Sequence, residues 1–509
     1  MKRISATRLP LLLPVLLPVA MLASPLAACG GAIAPGSNSG ADAGVVDATL
    51  TDQSVKPPVR PDATPPEGDA GGPTPFDGGP EQPLSVVDLG TVMPGTPVTF
   101  EIPVGTLGFH ITAESKGGDE ALSVKDVRAP SGELVHRDAT PFKGVHATSE
   151  TFFGFFAAAQ VPQSNHPDAM PTVTPGTWTV VFGGSQPVHG LVQIQSTPDG
   201  AFHGGNLDLH VYIPRGMVIG PAAQTIAAGG AWSNSEMRGR IEAFFSATED
   251  LYGLHNGTVR FHDIPAKYTE VSDDELGEVF KESKVAGPGQ ALHVFFGNAA
   301  PDSEWWGIAS GIPGAANAPG SDAAGIAIAM IEEADAEMEG FVLAHEAGHY
   351  FGLNHTTEFS RGLRDPLEDT PQCDGINPND PRTLQNCPDF ANIMFPAGAV
   401  TPPVVASPMQ QRVMAGSPIY KAFTTGPVFS PKAMWRPKAG SLDYGRLFGH
   451  AGVAPSAAEQ LVLLASCRHP SHPKPVLRAQ DRAELLRLAR APGASRRIRT
   501  IAARLAASP

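Results

Sequence analysis

The stretch FVLAHEAGHYFGLNHTTE, residues 341–358, sets His345, His349 and His355 at intervals of four and six, with Glu346 following the first of them. If this stretch begins as an α-helix, His345 and His349 lie one turn apart on the same face, and two imidazoles reach one tetrahedral metal ion. Glu346 sits beside them, where its carboxylate can hydrogen-bond a metal-bound water without being a ligand, the placement of a general base. Gly352 then permits a backbone reversal that a side chain resists, and that turn swings His355 back as a third nitrogen ligand. Three protein ligands leave a fourth position open for water, which separates a catalytic zinc from a structural one. At this composition the five fixed positions of His-Glu-x-x-His-x-x-Gly-x-x-His arise by chance with a probability on the order of one in ten thousand. That number weighs heavily against the competing reading, a helix that merely buries or solvates its histidines.

The rest of the chain says where such a site would sit. At 509 residues there is room for two or three domains, but 55 Gly and 51 Pro are too many for helices and strands alone, so part of the chain is linker. A formal charge of −15 argues against a nucleic-acid partner, since phosphate binding needs a positive face. Lys2, Arg3 and Arg8 precede the apolar run LPLLLPVLLPVAMLA, the layout of a secretory signal. The run carries Pro10, Pro14 and Pro18 and is shorter than the ~20 residues of a membrane span. The four cysteines are Cys29, Cys373, Cys387 and Cys467. In an exported protein the close pair Cys373 and Cys387 reads as a disulfide stapling one loop, and Cys467 has no evident partner.

Residues 29–83 are Ala, Gly, Pro, Asp and Ser with hardly an aromatic residue, which predicts a disordered stalk. Residues 84–203 hold short β-rich segments such as VTFEIP, FHITAES, TWTVVF and LVQIQS between Gly, Pro and Asp turns, the pattern of an all-β sandwich. A spacer role is the simpler expectation for it, and substrate or surface binding the other. Residues 204–420 alternate strand and helix: LDLHVYI, SNSEMRGRIEAFFSATEDLYGL, TVRFHDI, DDELGEVFKE, ALHVFFG and AAGIAIAMI. Residues 421–454 read as a Pro-rich linker and 455–509 as a small basic helical tail whose arginines most simply form a solvated face.

Several of these features carry resemblances. Leu26, Ala27, Ala28, Cys29 and Gly30 resemble the lipobox of bacterial lipoproteins, which implies a mature chain starting at acylated Cys29, exported and anchored in a lipid membrane of the cell envelope. The sandwich segments LGTVMPGTPVTFEIP and PGTWTVVFGG are similar to small β-sandwich domains that accompany many secreted bacterial peptidases. The extended histidine motif resembles the metzincin zinc peptidases, whose site rests on a methionine-containing turn, and ANIMFP supplies Met394 for it. His355 with Thr356, the Asp369-Thr370-Pro371 stretch, Cys373 with Cys387, and Asn392 with Met394 look like the pappalysin branch of that class. Members of that branch can bind calcium in the intervening loop, where Asp365, Glu368, Asp369 and Asp374 offer hard oxygen ligands; an acidic solvated loop is the alternative. Metzincins bind substrate along an edge strand, and residues 323–331 are the expected edge. One departure stands out: the branch commonly carries a tyrosine soon after the methionine to stabilise the oxyanion, whereas Phe395 and Pro396 follow Met394 here, leaving Tyr420 as a distant candidate. No cysteine lies between Cys29 and Cys373 to act as a cysteine-switch latch; an aspartate-based lock stays open.

The combined expectation is a multidomain, lipid-anchored protein with a stalk, an N-terminal sandwich, an α/β metzincin-type zincin domain and a helical tail. It would hydrolyse protein or peptide substrates with zinc as cofactor and calcium as a second candidate ion. The rivals are a surface binding protein or adhesin with a structural or inactive zinc site, and a metal-dependent hydrolase acting on a non-peptide bond.

Overall fold

The computed structural model describes residues 72–507, apart from internal segments of which the longer are 139–148, 164–172, 300–304, 330–335, 358–364, 374–385, 397–403, 436–457 and 463–476. The signal, Cys29, most of the expected stalk, Asp374 and Cys467 lie outside the described residues.

Nine strands among the described residues make up the N-terminal part. They are β1 (Ser85–Val92), β2 (Pro97–Ile102), β3 (Thr106–Glu114), β4 (Ser123–Arg128), β5 (Leu134–Arg137), β6 (Ser149–Glu150), β7 (Phe156–Val161), β8 (Gly176–Gly183) and β9 (Val188–Ser196). They form two antiparallel sheets, β1-β9-β3-β7-β6 and β2-β8-β4-β5. Period-2 alternation sends Trp178, Val180 and Phe182 of β8 inward against Phe109 and Ile111 of β3, so the two sheets share one core.

Strand β3 departs from simple alternation, because its polar positions are buried too: His110 is 1% and Thr112 4% exposed. The face that carries them packs on the C-terminal half of the molecule. His110 Nε2 donates to Gly314 O at 3.0 Å, Gln160 Nε2 to Val413 O at 2.6 Å, Gln193 Nε2 to Ala316 O at 3.1 Å and Gln195 Nε2 to Tyr420 O at 2.9 Å. Gly108 and Gly416 touch backbone to backbone, and a Cβ on Gly108 would fall 2.5 Å from the Gly416 Cα. The sandwich is therefore docked on the C-terminal half. The surface that covers this polar outer face is remote in the chain, so no local pattern signals it.

The C-terminal half is built on a mostly parallel sheet of β13 (Leu254–Ile264), β10 (Gly205–Pro214), β15 (Leu292–Ala299) and β17 (Ile326–Ala329), in that order. Strand β16 (Gly307–Ala309) closes it antiparallel to β17. Two short strands, β11 (Val218–Ile219) and β12 (Gln224–Thr225), form a separate hairpin, and β14 (Glu270–Val271) pairs with β15. The expected edge, residues 323–331, is corrected here: β17 is the second strand and the three-residue β16 takes the edge. So short a strand shows no alternation to read.

Helix α1 (Ser235–Tyr252) is capped by Asn234, whose side chain accepts from Glu236 N and Met237 N at 3.0 Å each, and ends on Gly253 at φ 71°. It lies against α3 (Ala336–Tyr350) through Gly340, where a Cβ would come within 2.6 Å of the Ala243 Cβ. The buried guanidinium of Arg240 ties the two helices by pairing with Glu339 of α3 and Glu236 of its own helix. A short α2 (Leu276–Phe280) lies between β14 and β15, and α4 (Pro408–Ala415) opens with a Ser407–Gln410 capping box.

Two boundaries shift. Residues 72–83, expected in the stalk, run along the parallel sheet, with Phe76 N donating to Asn256 O at 2.8 Å and the Phe76 ring stacked 4.0 Å from His255. The expected linker begins as β18 (Lys421–Ala422), paired with β10, and Phe429 N bonds Phe202 O at 2.7 Å. Pro and Gly composition hid both segments, whose few aromatic anchors suffice to fix them. The tail is helical as expected, with α5 (Ala479–Ala489) and α6 (Arg496–Ala507). Among the described residues no helix is long and apolar enough to cross a membrane.

Candidate metal centre

Helix α3 delivers His345 and His349, then stops in a left-handed turn. Leu353 N bonds Gly348 O and Gly352 N bonds His349 O, each at 2.9 Å, with Gly352 at φ 105°. These two bonds around a positive-φ residue are a Schellman cap, so the glycine is required by backbone conformation. The reversal brings His355 over the helix end.

The three imidazoles converge. His355 Nε2 lies 3.1 Å from His349 Nε2 and 3.3 Å from His345 Nε2. On the two helical histidines, Nδ1 is occupied: it donates to Ile393 O at 2.6 Å from His345 and to Leu353 O at 2.7 Å from His349. Their Nε2 atoms are then lone-pair acceptors in the neutral tautomer, and two acceptors facing each other repel unless a cation lies between them. Four-coordinate zinc with Zn–N near 2.0–2.1 Å needs nitrogens about 3.3–3.4 Å apart, and His355 Nε2 stands at that spacing from both other Nε2 atoms to within a few tenths. The donor set fits zinc. Burial pushes His345 down to about 3 and His349 well below the ordinary histidine range, with His355 adding to both, so the ligating neutral form dominates at neutral pH.

Glu346 is 3% exposed and lies against β16. A Cβ at Gly307 would stand 2.4 Å from Glu346 Cγ and 2.8 Å from Oε1. Gly307 thus makes the space in which the carboxylate sits, directly beside the sheet edge. Sequence reasoning missed it, because one glycine in WWGIAS carries no periodic signal.

Met394 lies beneath the helix. A Cβ on Gly348 would fall 2.5 Å from its Sδ, and Tyr252 Oη approaches the same sulfur at 3.9 Å. Glycine inside a helix costs about 1 kcal/mol relative to alanine, a cost this close approach accounts for. Asn392 shapes the turn: its Oδ1 accepts from Met394 N at 2.8 Å, and its amide exchanges two 3.0 Å bonds with Gln410. The turn also supplies the Ile393 carbonyl that orients His345, and Met394 O accepts from Thr356 N at 3.1 Å.

A second feature absent from the sequence reading is Asp389. Its Oδ2 accepts from Thr356 Oγ1 at 2.7 Å and Thr357 Oγ1 at 2.5 Å, clasping the two residues after His355. The expected Cys373–Cys387 disulfide is present, and Cys373 N bonds Thr357 Oγ1 at 3.4 Å. Burial raises the Asp389 carboxyl above the ordinary range, against the lowering effect of the two hydroxyls.

The calcium expectation finds a scattered set. Asp365 is buried and accepts from Thr370 Oγ1 at 2.5 Å, Asp369 accepts from Met409 N at 2.8 Å, and Glu368 is exposed. Among the described residues these three do not gather into a metal-binding group. Tyr420 is corrected as an oxyanion partner: it is buried under the sandwich and its hydroxyl donates to Ala415 O at 2.6 Å. Phe395 after the methionine is buried, edge-on to Phe390 at 5.3 Å.

Residues 309–424 match the family model described as metallo-peptidase family M12B, reprolysin-like. That match and the histidine cluster together support a zinc peptidase. A search of curated proteins returns no match to the chain.

Proposed function

We propose that this chain is a secreted, lipid-anchored zinc endopeptidase of the metzincin class, pappalysin-like in branch, with Glu346 as general base. The observation that carries the reading is the convergence of three imidazole Nε2 atoms beside Glu346 at the rim of a sheet. A zinc ion held by His345, His349 and His355 would supply Lewis acidity, polarising a peptide carbonyl and lowering the pKa of a nearby water. Glu346 accepts the proton of the attacking water and returns it to the leaving amine. Strand β16 offers an antiparallel edge to an extended peptide, and Gly307 on that edge holds the bond to be cut close to the carboxylate. Phe395 and Pro396 directly follow Met394, where a phenol would otherwise support the oxyanion.

Acylated Cys29 and residues outside the described set would tether the enzyme to the cell envelope of a bacterium. The branch assignment rests on the His355–Thr356 junction, the Asp369-Thr370-Pro371 stretch, the cysteine pair and the Asn392–Met394 turn. Calcium in that loop is a secondary proposal.

Glu346→Gln tests the mechanism. Zinc should stay bound at one equivalent while cleavage of a peptide library falls by about 10²–10⁴-fold. Unchanged cleavage overturns the role of Glu346, and a zinc-loaded parent protein that cuts no peptide favours the surface-binding reading.

A further inference from the structure

The sandwich meets the C-terminal half through a row of three polar side chains on adjacent strands. In the register of the sheet, Gln193 of β9 lies opposite His110 of β3, and His110 lies opposite Gln160 of β7. They are 3%, 1% and 1% exposed. Burying such a row costs free energy unless each member is paired. Each bonds a backbone carbonyl of the other half: Gln193 takes Ala316 O, His110 takes Gly314 O and Gln160 takes Val413 O.

These carbonyls bracket the end of the helix that carries His345 and His349. Gly314 N donates to Tyr350 O at 3.1 Å and Tyr350 Oη donates to Ala315 O at 2.8 Å, so the loop gripped by His110 and Gln193 is bound to the last residue of α3, next to His349. A Cβ on Gly314 would run into the Tyr350 ring, which shows how closely the loop lies on that residue. Gln160 takes the other side. Its Nε2 would stand 3.4 Å from a Cβ on Gly352, with Val413 Cγ1 at 3.5 Å, so the amide and α4 together face the turn that swings His355 over the helix end.

Gln160 is the member of the row that connects to both carbonyls orienting the helical histidines. Gly352, which it faces, is followed by Leu353, whose O accepts from His349 Nδ1 at 2.7 Å. Val413, which it bonds at 2.6 Å, lies about one turn after Gln410 on α4, and Gln410 exchanges two 3.0 Å bonds with Asn392. Next in the chain is Ile393, whose O accepts from His345 Nδ1 at 2.6 Å. A shift of α4 against the Gly352 turn therefore moves these two carbonyls relative to each other, and the two imidazoles with them. The bond to the second nitrogen of a ligating histidine sets its ring orientation and the metal affinity.

We infer that Gln160 is a positioning residue of the metal centre, supplied by the sandwich: by bonding α4 and facing the Gly352 turn it keeps the two histidine-orienting carbonyls in register. The inference rests on the reading of His345, His349 and His355 as zinc ligands, and does not depend on peptide cleavage. It gives the sandwich a part in a site that lies wholly in the other half of the molecule.

The matched control is Gln195, on the same strand as Gln193. It is 0% exposed and donates to Tyr420 O at 2.9 Å, a bond of the same kind to a residue outside both α4 and the Gly352 turn. The test is the zinc affinity of the full mature chain by competition with a chromogenic chelator, beside the visible spectrum of the cobalt(II)-loaded protein, which reports ligand geometry. Gln160→Met keeps the length of the side chain and loses the donor; zinc should bind about tenfold more weakly and the cobalt bands should shift. Gln195→Met should leave the bands in place and zinc affinity within about twofold of the parent. Gln160→Asn, which withdraws the amide by one methylene, should give an intermediate loss and serves if Gln160→Met fails to fold. A folded Gln160→Met protein with zinc affinity within about twofold of the parent, or an equal loss in Gln195→Met, overturns the proposal and leaves the zinc site standing. A parent chain that binds no zinc overturns the ligand assignment and the proposal with it.

Discussion

Gly307→Ala is the sharpest structural probe of the base. The new Cβ would lie 2.4 Å from Glu346 Cγ and 2.9 Å from Cδ, where carbon atoms pack at about 3.5–4.0 Å. Relief needs a displacement of about 1 Å, and it falls on the Glu346 side chain because Gly307 is fixed by its pairing with Ile328 of β17. A misplacement of that size at a reacting group costs roughly 10²-fold in rate. The metal should be spared, because His345 and His349 are oriented by the carbonyls of Ile393 and Leu353, which the new methyl does not touch. Overpacking at one methyl costs about 1–3 kcal/mol of stability. The assay is kcat and KM on a quenched-fluorescence peptide beside zinc content and Tm: kcat should fall by about 10²-fold with one zinc retained. A folded, zinc-replete Gly307→Ala protein with kcat within a factor of about three of the parent would refute the reasoning that β16 packs against the base.

Three further outcomes follow from the same geometry. Asp389→Ala leaves the Thr356 and Thr357 hydroxyls without their shared acceptor and should lower zinc affinity about tenfold, measured by competition with a chromogenic chelator. In the metal-free protein, the depressed His345 and His349 mean that the unfolded chain binds more protons than the folded one below its ordinary value of 6.5. Stability should therefore fall as pH drops from about 6.5 toward 3, read as the urea midpoint in the presence of a chelator, and a midpoint that rises on acidification would contradict it. Replacing Cys373 and Cys387 together by serine opens a loop with a separation of 14 residues and should cost about 3 kcal/mol, seen as a lower thermal midpoint under oxidising conditions.

The metal ligands were legible because their spacing is set by local geometry alone: one helical turn, then one glycine reversal. Met394 was legible through resemblance and the cysteine pair through its close spacing, and they stand under Gly348 and beside Thr357. The strand and helix segments of the parallel sheet fell where apolar runs and the Asn234 cap indicated. What stayed hidden depends on contacts between distant residues. Gly307 is a single small residue in a three-residue strand, and its meaning comes from Glu346, 39 positions later. Asp389 looks like any loop acid until the chain brings Thr356 and Thr357 onto it. His110, Gln160 and Gln193 sit at alternating strand positions that normally face water, and only the docked half of the molecule makes them buried hydrogen-bond donors. Tyr420 shows the converse: this distant candidate for the oxyanion is buried at the junction with the sandwich.

Zinc K-edge absorption on the purified mature protein reads out whether three neutral imidazoles hold a zinc with a position left open. One zinc per chain with three imidazole nitrogens and one light oxygen-type scatterer at about 2.0–2.1 Å is expected, with loss of the metal in His355→Ala. Sulfur scattering near 2.3 Å, or zinc retained at one equivalent with an unchanged shell in His355→Ala, would contradict it.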